Sequence, residues 1–333
     1  MSPAGLSQAY QAARQHAGLI LRERGLIVVS GSDRAAYLQG LLTNDISALT
    51  AGQGCYAAYL TAQGRMISDL FVYELGDVIL LALPRATKDT ILAKLDAFIF
   101  SEDVQLGDVT ETFSAVAVVG PAAASTVSAA IGLSDTDLRA LPLPGCRRIE
   151  VGGQPGILLR VGDTGEPGFE LLVPREQMPQ TLQALQGAGA VSVDAETADV
   201  LRIEAGVPVF GPDMAEDTIP LEAGIEQQAI SFTKGCYVGQ EVIIRVLHRG
   251  HGRVAQKLVG LLMEPGQAVP APGTTLQADG KDVGVVTSSA ESPALGRPIA
   301  LAYLKRDFIA PGTQVQLRAG MATVVALPFV ARA

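Results

Sequence analysis

Cysteine, histidine and tryptophan are scarce in this chain. Its 333 residues include three cysteines, three histidines and no tryptophan. Cys55, Cys146 and Cys236 are odd in number and widely spaced, which argues against a disulfide framework and favours reduced thiols. Because there is no CxxC pair, we expect no self-contained zinc or iron–sulfur site and assign no metal ligands.

Long apolar runs are missing as well. No stretch of about 18 uncharged apolar residues occurs, so the sequence predicts no membrane span. The first 25 residues read as an amphipathic helix with no cleavage site after an apolar stretch, which argues against a signal peptide. We therefore expect a cytoplasmic protein.

Positive charge is in deficit. The 25 lysines and arginines stand against 34 acids, and the formal net charge of −9 disfavours direct contact with nucleic acid. The stretch 234–253 runs against this trend, with Lys234, Arg245, Arg249 and Arg253 against the single acid Glu241. Such a patch suggests a small anionic ligand, and a solvated helix face is the alternative.

Glycine and proline are plentiful, and their spacing indicates the organisation of the chain. Up to residue 250, strands and helices alternate irregularly with several hairpins, which favours an α+β fold over a doubly wound parallel sheet. Residues 133–156 are rich in proline, glycine and acids and suggest a connection between two subdomains. Short strands broken by glycine and proline then predict a small β-barrel or sandwich. The predicted domains are 1–250 and 251–333.

The stretch KGCYVGQE, residues 234–241, contains one of the three cysteines. An ordinary thiol is only a few per cent thiolate at neutral pH. Lys234, the N-terminus of a following helix, and Arg245 and Arg249 if they fold back, would favour the thiolate of Cys236. The alternative is a small buried apolar residue, which is the usual environment of a free cysteine.

The residues that follow, GQEVIIRVLHRG, are compatible with a helix. Glu241, Arg245 and Arg249 would form one polar stripe with favourable pairing, and Val242, Ile243, Val246 and Leu247 would cover the opposite face. The stripe either lines a pocket or only faces solvent.

Two acids invite a functional interpretation. Glu204 lies in LRIEAG at the end of a predicted helix, where the helix dipole disfavours it. A flat heterocycle with two N–H donors would suit this carboxylate, and a salt bridge to Arg202 or a neighbour is the alternative. Asp69 lies among apolar neighbours in a strand pattern, whereas Asn44 could be a turn former.

These motifs together resemble a known family. Asn44-Asp45, GRMISDL, TGEPGFE (164–170), LRIEAG and a terminal β-domain occur in the order typical of the glycine cleavage system T protein, a tetrahydrofolate-dependent aminomethyltransferase. Within that superfamily, KGCYVGQE is similar to the signature of the YgfZ family. Those folate-binding proteins support iron–sulfur cluster assembly or repair, and with it tRNA-modifying enzymes.

The resemblance implies a T-protein-like folate-binding fold of mixed sheets and helices, followed by a small C-terminal β-barrel. It implies a tetrahydrofolate site in a central cavity, with Glu204 holding the pterin and basic residues meeting the anionic tail. The folate contacts that we predict on this basis are Asn44, Arg202, Glu204, Lys234, Tyr237, Arg245 and Arg249. Asp69 and Cys236 are the candidate reactive groups.

The chain also departs from the aminomethyltransferase pattern. Those enzymes usually carry two adjacent acids where this chain has Ser68-Asp69, and they lack the cysteine of KGCYVGQE. We therefore expect a tetrahydrofolate-binding accessory protein that serves iron–sulfur client or assembly proteins through an accessible Cys236. The alternative is a folate-dependent aminomethyl or one-carbon transferase, in which Asp69 is essential and Cys236 dispensable. A third possibility is a scaffold in which Cys236 merely packs.

Overall fold

The computed structural model describes residues 3–248, 253–318 and 320–331, with the main chain alone at 3–7 and at 248. The helices are α1 Pro3–Gln15, α2 Arg34–Leu41, α3 Lys88–Asp96, α4 Ala123–Ile131, α5 Asp135–Ala140, α6 Met178–Gly187, α7 Ala195–Glu204, α8 Pro220–Ala223, α9 Glu226–Ala229 and α10 Gln240–His248. The short 3-10 helices are Arg85–Thr87, Arg175–Gln177 and Arg306–Phe308.

The strands of the first part of the chain are β1 Gly18–Arg22, β2 Arg24–Ser30, β3 Gly54–Leu60, β4 Met66–Glu74, β5 Ile79–Pro84, β6 Gln105–Asp108, β7 Phe113–Val119, β8 Gly145–Val151, β9 Gln154–Val161, β10 Gly168–Pro174 and β11 Val191–Ser192. Those of the second part are β12 Gln256–Met263, β13 Thr275–Ala278, β14 Lys281–Ser292, β15 Arg297–Lys305, β16 Gln314–Leu317 and β17 Gly320–Val325.

Two sheets form the first part of the molecule. One has the strand order β3-β4-β5-β2-β6 and the other β11-β1-β7-β10-β9-β8. Helices α2 and α3 cover the outer face of the five-stranded sheet through Leu38 and Ile91. Helices α4 and α6 cover the outer face of the six-stranded sheet. The inner faces meet each other, for example at Leu26 and Tyr73 against Leu172.

The second part is a closed barrel with the strand order β12-β15-β14-β13-β16-β17. It has a core of its own, which includes Leu261, Leu276 and Leu304. One outer side packs on α1 and α7, where Tyr10 and Leu201 share an apolar cluster with barrel residues. The predicted α+β architecture with a C-terminal barrel is confirmed.

The segment 133–156 is not the connection that its composition suggested. It holds α5 and β8, and β8 pairs with β9 as the edge of the six-stranded sheet. Glycines at 152 and 153, both with positive φ, form the tight turn between these strands. Of the acids that suggested a loop, Asp135 and Asp137 lie in α5, and Glu150 is exposed on the edge strand β8, where charge is favoured.

The predicted domain boundary at 250/251 lies outside the described residues. No helix within the described ranges is long and apolar enough to span a bilayer.

Candidate active site

Asp69 lies on the inner face of the five-stranded sheet. It pairs with Ala58 across the β3–β4 ladder, and Tyr56 pairs with Phe71. Paired residues of antiparallel strands point to the same side, so these four side chains share a surface that we call the Asp69 face. The Tyr56 hydroxyl donates to Asp69 Oδ2 over 2.7 Å, and the Tyr56 and Phe71 ring centroids lie 5.0 Å apart.

The second oxygen of this carboxylate has no partner. Asp69 Oδ1 is out of contact with solvent and accepts no hydrogen bond from the protein, although the residue as a whole is partly exposed. Burial raises the pKa of Asp69, against the opposing effects of the Tyr56 hydroxyl and the Arg24 charge. An unsatisfied buried acceptor of this kind is costly and marks a place where a ligand could bind.

Ser68 points to the opposite face of β4. It pairs with Tyr59 and its hydroxyl lies 2.7 Å from that of Thr87, on the side covered by α2 and α3. A second acid at position 68 would therefore not reach the surface that carries Asp69. The replacement of the first of two adjacent acids by Ser68 therefore removes no carboxylate from the Asp69 face.

Charged residues connect the two sheets beside this face. Arg24 of β2 binds Glu170 of β10 through two nitrogens, over 3.1 and 2.9 Å, and it lies 3.4 Å from Asp163. Arg22 also binds Asp163, over 2.9 Å. Two cations thus balance two acids, and Arg24 is the positive group that opposes the rise in the Asp69 pKa.

Glu204 has a different environment. Its fully buried carboxylate accepts hydrogen bonds from Tyr10, over 2.7 Å, and from Arg14 and Ser292. Arg14 also binds Glu166, over 2.5 Å. These five residues, which we call the Glu204 cluster, join α1, the 164–168 turn, α7 and the barrel. The carboxylate predicted to hold the pterin therefore faces protein donors in this structure, and Arg14, not Arg202, is its ion-pair partner.

Arg202 and Asn44 also have internal partners. Arg202 binds Asp199 over 2.6 Å, Asp213 over 2.5 Å and Ser288 over 2.7 Å, which ties α7 to the barrel. Asn44 donates to the carbonyl oxygens of residues 56 and 228, over 2.8 and 2.9 Å. Both side chains thereby hold neighbouring segments together.

Within KGCYVGQE, the lysine and the cysteine point to different surroundings. Lys234 donates to three main-chain carbonyls, of residues 39, 42 and 44, over 2.6 to 2.7 Å. Burial lowers its pKa to about 8, against the opposing charge of Asp45. Cys236 is exposed, in agreement with an accessible thiol. The lysine predicted to activate it instead donates its hydrogen bonds to the 39–44 segment, and its charge opposes the rise in the Cys55 pKa.

Helix α10 begins at Gln240. Ile243 is fully buried, Val246 and Leu247 pack on the same apolar cluster, and Glu241 and Arg245 are exposed, as the stripe pattern predicted. Arg249 lies outside the described residues.

The other two thiols are less accessible than Cys236, since Cys146 is buried and Cys55 is only partly exposed. Burial raises the pKa of Cys55 to about 12 and that of Cys146 to about 11. Among the described residues, no group of three or more His, Cys, Asp and Glu side chains could hold a metal ion.

Several residues of these sites were not found by sequence reasoning. Tyr10 and Arg14 are spaced i, i+4 on α1, which signals a shared helix face but not its partner. The sequence predicts a hairpin with its turn at Gln63-Gly64, and this register puts Tyr56 on the same face as Asp69, but the hydrogen bond between them was not predicted. Ser292 gave no signal, because its contact with Glu204 is 88 residues distant along the chain.

The family models that match the chain are the GCVT N-terminal domain, over residues 3–234, and the glycine cleavage T-protein C-terminal barrel domain, over residues 256–331. The chain belongs to the glycine cleavage T-protein family.

Its relatives include proteins named aminomethyltransferase. The one from Streptomyces coelicolor is 34% identical over 98% of this chain and 89% of its own length. The one from Bacillus subtilis is 30% identical over 98% of this chain and 91% of its own. The crystal structure of glycine cleavage system aminomethyltransferase T from Bartonella henselae matches with a TM-score of 0.89 and 26% identity, over 100% of this chain and 91% of that one.

These matches correct the functional interpretation of KGCYVGQE. The expected role in iron–sulfur cluster assembly and tRNA modification depended on KGCYVGQE and on Ser68 in place of an acid, whereas the similarity to aminomethyltransferases extends over nearly the whole chain. The comparisons support the T-protein superfamily and not the YgfZ group, and the prediction of an iron–sulfur accessory protein was wrong.

Proposed function

We propose that this protein is a tetrahydrofolate-dependent aminomethyltransferase of the glycine cleavage T-protein type. The observation that carries the proposal is Asp69, whose Oδ1 is buried without a partner between the two sheets. The full-length likeness to proteins named aminomethyltransferase supports the same activity. Reduced folate is a substrate in this reaction, and an aminomethyl compound is the donor.

Asp69 has the position and the chemistry for proton transfer. In aminomethyl transfer, the folate nitrogen that attacks the one-carbon unit loses a proton, and the amine that leaves gains one. A carboxylate with a raised pKa can accept the first proton and return it to the second nitrogen. Tyr56 fixes the orientation of the carboxylate through Oδ2, so Oδ1 is the oxygen that meets the substrate.

The other predicted folate contacts divide into two groups. Asn44, Arg202 and Lys234 bind internal partners, and we propose that they support the walls of the site. Arg245 is exposed and stays a prediction as a contact for the anionic tail. The role of Glu204 as a pterin anchor also stays a prediction. To reach its carboxylate, a heterocycle would have to displace Tyr10 or Arg14.

The proposal is tested by ammonia release from an aminomethyl donor in the presence of tetrahydrofolate. Wild-type protein should turn over, and Asp69→Asn should lose most of the activity while it keeps the acceptor for Tyr56. Ser68→Ala, one position away on the opposite face, is the matched control and should stay active. An active Asp69→Asn protein would contradict the role of Asp69, and an inactive wild type would contradict the function.

A further inference from the structure

Tyr237 carries a second polar atom that the fold leaves without a partner. The residue is 7% exposed, and its hydroxyl is out of contact with solvent and makes no hydrogen bond. Burial of an unpaired hydroxyl costs free energy, so a phenylalanine would be favoured here if packing were the only requirement. The hydroxyl therefore needs an explanation outside packing.

The segment around Tyr237 is held firmly against the β3–β4 hairpin. Gly239 has φ +85°, and a Cβ there would lie 2.6 Å from the carbonyl oxygen of Thr61, so only glycine permits this approach. Lys234 lies 5.3 Å from the centre of the Tyr237 ring and is itself anchored on three carbonyls. Lys234 before Tyr237 and Gly239 after it thus fix the position of the ring.

The buried surroundings of Tyr237 extend to the Asp69 face. Tyr237 belongs to an apolar cluster that also contains Ala58, the cross-strand partner of Asp69, with Tyr56 packed against it. Tyr56 is the residue that donates to Asp69. Asp69 and Tyr237 therefore both neighbour Ala58 on the inner side of the β3–β4 hairpin, and each carries a buried polar atom without a partner, Oδ1 and the hydroxyl.

We propose that the Tyr237 hydroxyl is a second polar contact for the pterin ring of the folate bound at Asp69, and that it donates a hydrogen bond to an acceptor atom of that ring. This inference rests on the proposed function and gives Tyr237, which the sequence predicts only as a folate contact, the role of a specificity-determining residue.

The chemistry of the two groups is complementary to such a ring. Burial raises the pKa of Tyr237 to about 12, so the phenol keeps its proton at neutral pH and acts as a donor. The ionised Asp69 acts as an acceptor. A flat heterocycle that presents N–H groups along with ring nitrogens or a carbonyl satisfies both, whereas a purely aliphatic amine satisfies only the carboxylate.

The experiment measures tetrahydrofolate binding by calorimetry for wild type, Tyr237→Phe and Tyr59→Phe. Tyr59 is a buried tyrosine on the opposite face of the same hairpin, so its variant is the matched control. We expect Tyr237→Phe to weaken binding about tenfold, as for the loss of one buried hydrogen bond, without lowering the melting temperature. Tyr59→Phe should bind as wild type does. In turnover, Tyr237→Phe should raise KM for tetrahydrofolate and leave KM for the aminomethyl donor unchanged.

A fragment separates the pterin contact from the rest of the ligand. If p-aminobenzoylglutamate, which lacks the pterin, binds wild type, then Tyr237→Phe should bind it equally well. Equal tetrahydrofolate affinity of wild type and Tyr237→Phe would overturn this inference and leave the proposed function standing. Failure of the wild type to bind tetrahydrofolate would overturn the proposed function itself.

Discussion

The Glu204 cluster and the Asp69 face both bury a carboxylate, but the two carboxylates differ in how many hydrogen bonds they accept. Glu204 is enclosed by a tyrosine, an arginine and a serine that donate to its oxygens. Asp69 receives one hydrogen bond, on Oδ2, and none on Oδ1. Both oxygens of Glu204 accept hydrogen bonds, whereas one of the two oxygens of Asp69 is buried and unpartnered.

The difference indicates what each region is for. A hydrogen-bonded cluster between α1, α7 and the barrel fixes the position of those elements, and removing one partner leaves buried polar groups without their hydrogen bonds. A buried acceptor without a partner lowers stability and persists in proteins mainly where a ligand completes it. Buried acids in this fold are therefore distinguished by their partners more than by their depth.

The largest effect should come from Asp69→Asn. We expect kcat/KM of aminomethyl transfer to fall by about 10²- to 10⁴-fold, because a positioned proton-transfer group is lost. The free energy of unfolding should stay level or rise, since a neutral amide replaces a carboxylate that burial disfavours. Steady-state kinetics and urea unfolding of the same preparation measure both, and a marked loss of stability would place Asp69 with the structural acids.

Glu204→Gln should show the reverse pattern. Arg14 keeps Glu166 as its acid partner, but the hydrogen bonds that Tyr10 and Ser292 donate to the charged carboxylate are weakened, so we expect the free energy of unfolding to fall by about 2 kcal/mol. Glu216→Gln, at an exposed position, is the control and should change little. If Glu204→Gln keeps its stability and loses only tetrahydrofolate binding, the pterin-anchor prediction for Glu204 is supported and Glu204 joins Asp69 as a ligand-binding acid.

The pH dependence of activity should report on Asp69. Since burial raises the Asp69 pKa, kcat/KM should begin to fall at a higher pH than an ordinary aspartate would give as the solution is acidified. The linkage to stability has the opposite sign. A folded-state pKa above the unfolded one means that stability declines as pH rises from the unfolded towards the folded pKa, and Asp69→Asn should abolish this component. An acid limb of the pH–rate profile at the pKa of a free aspartate would contradict the prediction.

The smallest effect on catalysis should come from Cys236→Ser. The thiol is exposed and plays no part in the proposed transfer, so we expect kcat/KM within about twofold of wild type. Native protein should react with a mild alkylating reagent at Cys236, while Cys55 and Cys146 resist until unfolding because burial raises their pKa. Loss of transfer in Cys236→Ser would reopen a chemical role for the thiol.

Much of the fold could be predicted from local pattern. The β3–β4 hairpin, α7 and α10 are visible because alternation and helical periodicity follow directly from which face is buried. The edge strand β8 was missed, since a strand with one exposed side and several charges has the composition of a loop. Only part of the site could be predicted. Asp69 was a candidate because it is an acid in an apolar strand, whereas its partner Tyr56 depends on cross-strand register.

KGCYVGQE shows how far a short motif can mislead. Its cysteine suggested the chemistry, yet the structure uses the lysine as an anchor on three carbonyls and the second glycine for a close approach to the hairpin. The residue whose polar group has no hydrogen-bond partner is Tyr237, next to the cysteine. Its hydroxyl could not be recognised as unpartnered before the surrounding cluster was known.

By itself, the sequence determined a mixed α+β module followed by a small β-domain, and the membership of Asp69 in a largely apolar strand. Burial periodicity and turn residues are local properties, and they can be read without knowing which elements meet. Only the tertiary structure decided which acids are paired, because Arg14 and Ser292 approach Glu204 from 190 and 88 residues away. Whether a buried charge is structural or available to a substrate depends on such distant partners.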